Sequence, residues 1–185
     1  MSCLLNRIVC DRCVAGRAAI LALVVLALVV GSALFSYAAD PVVHVELDVK
    51  KTFPRAVENL TERGILRDYR FAWTSMAQAL EFNTLDPLEG PFAGGAKQWL
   101  RETVISQQRS GLSQRYVAQN HKLEAVFYAP EGDVMELHDT ADYDLQILDD
   151  GKIIHDERVV LHFIVLMTPG ADRWVIRQMQ AVPRF

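Results

Sequence analysis

The feature that most constrains this chain is a long uncharged run near its beginning. The run extends from Ala18 to Ala39 and reads AAILALVVLALVVGSALFSYAA. At about 1.5 Å per residue, a helix of this length reaches roughly 33 Å, and the hydrocarbon core of a bilayer is about 30 Å thick. We therefore expect this segment to fix the chain to a membrane or to direct it across one.

A retained anchor and a cleaved signal peptide both fit this run. A signal peptide has a basic beginning, an apolar run of about 7 to 15 residues and small residues at the cleavage site. Such a site follows Ala38. Because the run is longer than the apolar part of most signals, we favour a retained anchor. The alternative is a soluble domain that is exported after cleavage at Ala38.

The charges before the run predict its orientation. Residues 1–17 contain three arginines and a single aspartate. Positively charged residues next to a membrane segment stay on the cytoplasmic side. We therefore expect a cytoplasmic tail at 1–17, a single-pass anchor at 18–39, a connector at 40–52 and an extracytoplasmic domain at 53–185, in a periplasm or an equivalent compartment.

The net charge argues against nucleic-acid binding. The whole chain carries a formal charge of −4, of which the tail contributes +2, so the remainder carries −6. A nucleic-acid-binding domain usually presents a broad basic surface to the phosphates. We therefore expect the membrane and other proteins to be the partners of this chain, and no nucleic acid.

All three cysteines lie in the tail. These are Cys3, Cys10 and Cys13, so the domain after Ala39 cannot form a disulfide. Cys10 and Cys13 have the spacing of half a zinc site, but zinc prefers four ligands. We interpret the thiols as reduced cytoplasmic cysteines, with acylation or a metal shared between two chains as the alternative.

Residues 53–111 predict three helices. Pro54 suits a first helical turn, and apolar residues at helical spacing follow it as far as Gly64. The strongest helical pattern covers 65–82. A break rich in Pro and Gly separates it from a third helix, which ends at Gly111 because glycine suits a left-handed C-cap.

After Gly111 the apolar period changes to two, as in half-buried strands. Turns rich in Gly, Pro and Asp separate four antiparallel strands, at roughly 121–128, 133–148, 152–168 and 173–182. The predicted fold class is α+β, with about three helices packed on a curved antiparallel sheet of four or more strands.

The third of these strands is apolar on both faces. From Val159 to Met167, His162 is its single polar residue. One face can pack on the helices, and the other requires a second copy of the domain or a partner protein. A strongly curved sheet that folds over itself is the alternative. The predicted interface residues are Val159, Leu161, Phe163 and Val165.

Two polar residues are candidates for catalysis. Asp139 is in phase with the apolar residues of its strand, where burial would raise its pKa and suit it to act as a base. We favour a β-bulge that turns Asp139 outward, and an inward base is the alternative. His162 interrupts an apolar strand, and a hydrogen-bonded core histidine is the simpler interpretation.

Aromatic residues at suitable spacing predict either a pocket lining or a packed core. No histidines have the spacing of metal ligands on one element, and no phosphate loop or nucleophile motif occurs, so we predict no metal and no cofactor. The predicted lining residues are Tyr69, Trp73, Trp99, Phe127, Tyr143 and Trp174.

Four local patterns together resemble the SnoaL-like, or nuclear-transport-factor-like, cone-fold superfamily over about 60–185. They are the helix with Trp73, the Leu85-Asp86-Pro87-Leu88 break, the helix start at Ala93-Gly94-Gly95-Ala96 and a last strand that begins at Trp174 after a charged turn. Similar single-anchor proteins occur in bacterial envelope assemblies and among organelle-division proteins whose terminal domain lies in an intermembrane space.

The resemblance implies two possible functions. In the enzymes of the superfamily, a pocket between sheet and helices holds an Asp or His base, whereas in the scaffolds the pocket is filled. We predict a membrane-anchored, non-enzymatic protein-interaction or assembly domain. The alternative is a small-molecule-binding or proton-transfer enzyme of isomerase or dehydratase type that uses Asp139 and His162.

Overall fold

The computed structural model of this protein describes residues 43–185. The predicted tail, its cysteines and the predicted anchor at 18–39 lie outside the described residues. In the described part, no helix combines the length and the apolar character needed to cross a membrane.

Two α-helices are present between residues 43 and 185, where three were predicted. Helix α1 spans Asn59–Phe82, a 3-10 turn spans Asp86–Leu88, and helix α2 spans Gly94–Ser110. Gly64 lies inside α1 and does not end a separate helix. A glycine costs a helix interior only about 1 kcal/mol, so a single glycine does not end the helix.

The sheet of the described chain has six strands: β1 His44–Asp48, β2 Phe53–Pro54, β3 Leu112–Tyr128, β4 Met135–Asp149, β5 Lys152–Pro169 and β6 Trp174–Val182. Their order is β1-β3-β4-β5-β6, with β2 also paired to β3. The pairs from β3 to β6 are antiparallel, but β1 and β2 run parallel to β3. The α+β class is confirmed, with a mixed sheet in place of an antiparallel one.

Strand β1 lies within the predicted connector. Val45 pairs with His121 of β3 and is buried, as is Val43. Alternating valines are typical of a strand with one covered face. The connector therefore contributes an edge strand to the sheet.

Strand β3 begins at Leu112, well before residue 121, where the first long strand was predicted to begin. Its register against β4 shifts between Val117 and Asn120, and Ala118 has a left-handed φ of 51°. This irregularity interrupts the alternation of apolar and polar residues. The alternation of apolar and polar residues is therefore regular only after this register shift.

The core lies between the two helices and one face of the sheet. Helix α1 supplies its largest side chains, and the central strands supply residues at alternate positions. Burial of these apolar side chains is the main stabilising contribution to such a layer. The central members are Tyr69, Trp73, Leu80, Leu100, Val104, Leu123, Leu137, Val165 and Ile176.

Candidate functional site

Asp139 lies on the inner face of β4, completely buried. The register of β4 is continuous here, with Asp139 opposite Leu123 of β3 and opposite Phe163 of β5. The favoured interpretation, a β-bulge that turns this residue outward, is therefore wrong. The sequence places a carboxyl group among apolar side chains.

Two side chains meet one oxygen of this carboxyl group. The Tyr69 hydroxyl of α1 donates to Asp139 Oδ2 at 2.7 Å, and His121 Nδ1 of β3 lies 2.8 Å from the same oxygen. All three side chains are buried. We refer to Tyr69, His121 and Asp139 as the buried cluster, which joins a helix to two neighbouring strands.

Aromatic side chains pack around this cluster. The Trp73 ring lies with its centroid 4.1 Å from that of His121. On its other sides it meets Tyr116 at 6.4 Å, Tyr143 at 6.1 Å and Phe163 at 5.8 Å between ring centroids. The space between helix and sheet beside Asp139 is therefore filled by side chains.

Burial controls the ionisation of the nearby tyrosines. It raises the pKa of Tyr69 well above 10, and the Asp139 carboxylate adds to this effect. Burial also raises the pKa of Tyr116 to about 12. The pKa of Tyr143 rises through burial first, then through the charges of Tyr116 and Asp139. All three remain protonated near neutral pH and can act as hydrogen-bond donors.

Two polar atoms of the cluster have no partner among the described residues. They are Asp139 Oδ1 and His121 Nε2. A buried polar atom without a hydrogen bond costs about 1–3 kcal/mol. A carboxyl group that orients an imidazole is also the geometry of a general base, but His121 is only 1 % exposed. Proton transfer to a substrate would require the aromatic packing to open.

His162 does not join this cluster. It is half-buried on the outer face of β5, with Nδ1 3.2 Å from Thr140 Oγ1. Asp139 faces the neighbouring residue, Phe163. Successive residues of a strand point to opposite faces, so the two predicted catalytic candidates lie on opposite faces of the sheet.

The predicted pocket-lining residues divide into three groups. Tyr69, Trp73 and Tyr143 meet in the interior, as described above. Trp174 is partly buried, and its backbone N–H donates to Asp68 of α1 at 2.8 Å. The remaining two aromatics lie outside the interior: Trp99 is 46 % exposed and Phe127 is 39 % exposed.

A register shift explains the outward position of Phe127. The shift lies between Ala125 and Phe127 in the pairing of β3 with β4. It changes which residues face the core, so that Tyr128 is buried in place of Phe127. Period-two counting from Leu123 has no means of detecting this extra residue.

His121 is the member of the cluster that sequence reasoning missed. It precedes Leu123 and Ala125 at intervals of two, so its phase predicts an inward side chain. That signal was present at the predicted beginning of the strand. The partnership of His121 with Asp139 depends on the register of β3 against β4, which the phase alone does not give.

The predicted interface residues of β5 face the core. Phe163 and Val165 are buried, and Val159 is partly buried. Leu161 is the most exposed of the four. The more exposed apolar residues of this strand are its neighbour Val160 and the pair Ile153 and Ile154.

Solved structures of similar fold provide a comparison. The chain is similar to the intermembrane space region of the chloroplast protein ARC6, with a TM-score of 0.56, 10 % sequence identity, and coverage of 70 % of this chain and 98 % of that one. No protein-family model and no curated protein matches the sequence. The likeness agrees, at the level of fold, with the resemblance to intermembrane-space domains. The nuclear-transport-factor-like superfamily remains a prediction.

Proposed function

We propose that this chain is a non-enzymatic protein-interaction or assembly domain, anchored to a membrane by Ala18–Ala39 and located outside the cytoplasm. The observation that carries the proposal is the packed interior. Trp73 occupies the space beside the buried cluster, and the polar groups suited to proton transfer are covered by side chains. A domain with such an interior acts through its exterior.

The fold comparison supports the same class of function. The sequence patterns resemble single-anchor proteins with a domain in an intermembrane space, and the ARC6 region of similar fold is also an intermembrane-space region. We therefore include the cone-fold superfamily assignment and an extracytoplasmic location in the proposal. A domain of this kind presents its surface to proteins of the same membrane or of an opposing one.

The tether is predicted from the apolar run at Ala18–Ala39, and its test is direct. The full chain is expressed, the membranes are washed with alkaline carbonate, and the mature amino terminus is determined. We expect the chain to stay in the membrane pellet and to retain its tail. A soluble protein that begins at Ala39 would contradict the tether.

The interaction itself is tested by chemical cross-linking of the full chain in intact membranes. We expect a cross-linked species that contains a second copy or another membrane protein. The matched comparison is Asp139→Asn, which preserves the shape of the buried side chain and alters the surface little. If the domain acts through its exterior, this variant cross-links like the wild type as long as it folds. A folded variant that loses the cross-link would favour a role for the buried cluster.

A further inference from the structure

Strand β5 has an unpaired edge over its first half. Strand β6 pairs with it only from His162 to Pro169, whereas β4 pairs with it from Lys152 to Met167. Among residues 43–185, no strand lies on the other side of residues 152–161. This stretch therefore presents free backbone N–H and C=O groups, which are a template for an added strand.

The side chains of this edge are exposed and partly apolar. Ile154 is 59 % exposed and Val160 is 57 % exposed, and they stand at the two ends of a short charged stretch. Asp156, Glu157 and Arg158 form its centre. Natural edge strands often carry charges that discourage pairing. The arrangement of charges therefore decides whether a second copy can dock.

Symmetry restricts the ways in which two such edges can pair. In an antiparallel pair, opposite residues lie on the same face of the sheet, so a twofold pairing of β5 with itself must be centred on a residue. Centring on Asp156 places that aspartate opposite its own copy. Centring on Arg158 places that arginine opposite its own copy.

Centring on Glu157 gives a complementary register. It places Asp156 of each copy opposite Arg158 of the other, on both sides of the axis. The alternation is regular here because β5 pairs with β4 without a shift from His155 to Met167, whereas Ile154 is the extra residue of a bulge and is left out of the register. We propose that the free edge of β5 docks a second copy of this chain in this antiparallel register, so that two sheets become one.

The surrounding charges suit this register. Arg158 already lies beside the carboxylate of Asp142, with its Nε 2.9 Å from Oδ1 and its Nη2 2.8 Å from Oδ2. It is therefore held on the outer face of the sheet, where the partner's Asp156 would arrive as a further acceptor. The two copies of Glu157 face each other at the axis, and this contact between like charges opposes the pairing. Two Asp156–Arg158 pairs offset it in this register, whereas the register centred on Arg158 has no pair of opposite charges.

The proposed contact between the two β5 strands is small, so it depends on the membrane tether. A stable dimer in solution usually buries about 1,200–2,000 Å², whereas one strand added to an edge contributes a few backbone hydrogen bonds and side-chain pairs. Confinement to a membrane raises the effective concentration of such weak partners. The inference thus rests on the proposed function and specifies its partner and its surface.

Disulfide cross-linking in membranes tests the register. The full chain is used with its tail cysteines Cys3, Cys10 and Cys13 replaced by serine. Glu157→Cys faces its own copy and should form a disulfide-linked dimer under mild oxidation. His155→Cys should not, because the two copies of residue 155 are offset by four residues, or about 14 Å at 3.4 Å per residue.

The opposite residues provide a second arm. Co-expression of differently tagged His155→Cys and Val159→Cys chains should give a mixed dimer, since this register places these positions opposite each other. Equal cross-linking of Glu157→Cys and His155→Cys would indicate random collision and overturn the register. If the Glu157→Cys chain formed a disulfide only with a different protein, a second copy would not be the partner of the β5 edge. The proposed interaction function would stand in that case.

A surface variant tests the contact without cysteines. Asp156→Lys places a lysine opposite Arg158 in both pairs and should weaken the dimer by about tenfold or more. Asp133→Lys, at an exposed aspartate in the turn before β4, is the matched control and should not change the dimer. Equal dimerisation of all three proteins would overturn the proposal.

Discussion

His121 Nδ1 lies 2.8 Å from Asp139 Oδ2, with both side chains buried on neighbouring strands. Tyr69 of α1 donates to the same oxygen. A slip of one residue between β3 and β4 would turn one of the two strand residues to the outer face. The pair therefore specifies the register of the sheet and the position of the helix upon it.

Asp139→Ala should lower the free energy of unfolding by about 3 kcal/mol or more, because it leaves the Tyr69 hydroxyl and His121 Nδ1 buried without their partner. The measurement is denaturant unfolding of the full chain in detergent, followed by tryptophan fluorescence. The matched control is Asp142→Ala, which removes an exposed ion pair with Arg158 and should leave the midpoint nearly unchanged. Equal effects of the two substitutions would contradict the structural importance of the cluster.

Trp73→Ala should lower the free energy of unfolding by about 3–5 kcal/mol, because it opens a cavity among the aromatic side chains. Trp99→Ala, at an exposed position of α2, should cost less than about 1 kcal/mol. Thermal unfolding of both variants checks this contrast. If Trp73→Ala were as mild as Trp99→Ala, the interior beside His121 would not be packed as described.

Asp68→Ala should lower the free energy of unfolding by about 1–3 kcal/mol, because Asp68 Oδ2 accepts the backbone N–H of Trp174 at 2.8 Å and so joins α1 to the beginning of β6. Asp68→Asn retains an acceptor oxygen and should recover much of the loss. Hydrogen exchange at the Trp174 amide provides a local readout. An amide as protected in the alanine variant as in the wild type would argue against this bond.

Alkaline pH should destabilise the domain. The pKa of Tyr69 is raised well above 10 and that of Tyr116 to about 12, both chiefly by burial. The folded chain therefore holds these protons more tightly than the unfolded chain, whose tyrosines ionise near pH 10. The contribution of these two tyrosines to the free energy of unfolding is fully present below about pH 10 and is lost as the pH rises toward 12.

Tyr116→Phe removes one of these groups and isolates its effect. The variant should lose less stability than the wild type between pH 9 and 11.5, as measured by unfolding midpoints at each pH. Absorbance at 295 nm should show one fewer late-ionising tyrosine. Parallel pH profiles for the two proteins would contradict the raised pKa of Tyr116.

The regular parts of this fold could be predicted from periodicity. The strongest helical pattern lies within α1, and the strands 152–168 and 173–182 agree closely with β5 and β6. Periodicity failed where the backbone is irregular or a residue is unusual for its element. The irregular backbone at Ala118 interrupts the alternation in β3, so the first half of this strand was not predicted. Gly64 was predicted to end a helix, but α1 continues through it.

The candidate site was predicted in part. The phase of Asp139 is that of an inward carboxyl group, and the bulge that we favoured at this position is absent from the pairing of β4. Its partners come from residues distant in sequence, and a single sequence does not specify which helix residue lies over which strand residue. The side of the sheet that His162 occupies follows from its alternation with Phe163, but its separation from Asp139 required the register of β4 against β5.

The central claim is that this domain works by assembly through its exterior. The most direct measurement is the mass of the particles that contain the full chain after extraction from membranes in a non-denaturing detergent. We predict particles that contain at least two copies of this chain, or one copy with a second protein. This result should hold at protein-to-detergent ratios that match the density of the chain in the membrane. A single copy at every concentration, together with saturable binding of a small molecule that Asp139→Asn abolishes, would contradict the claim.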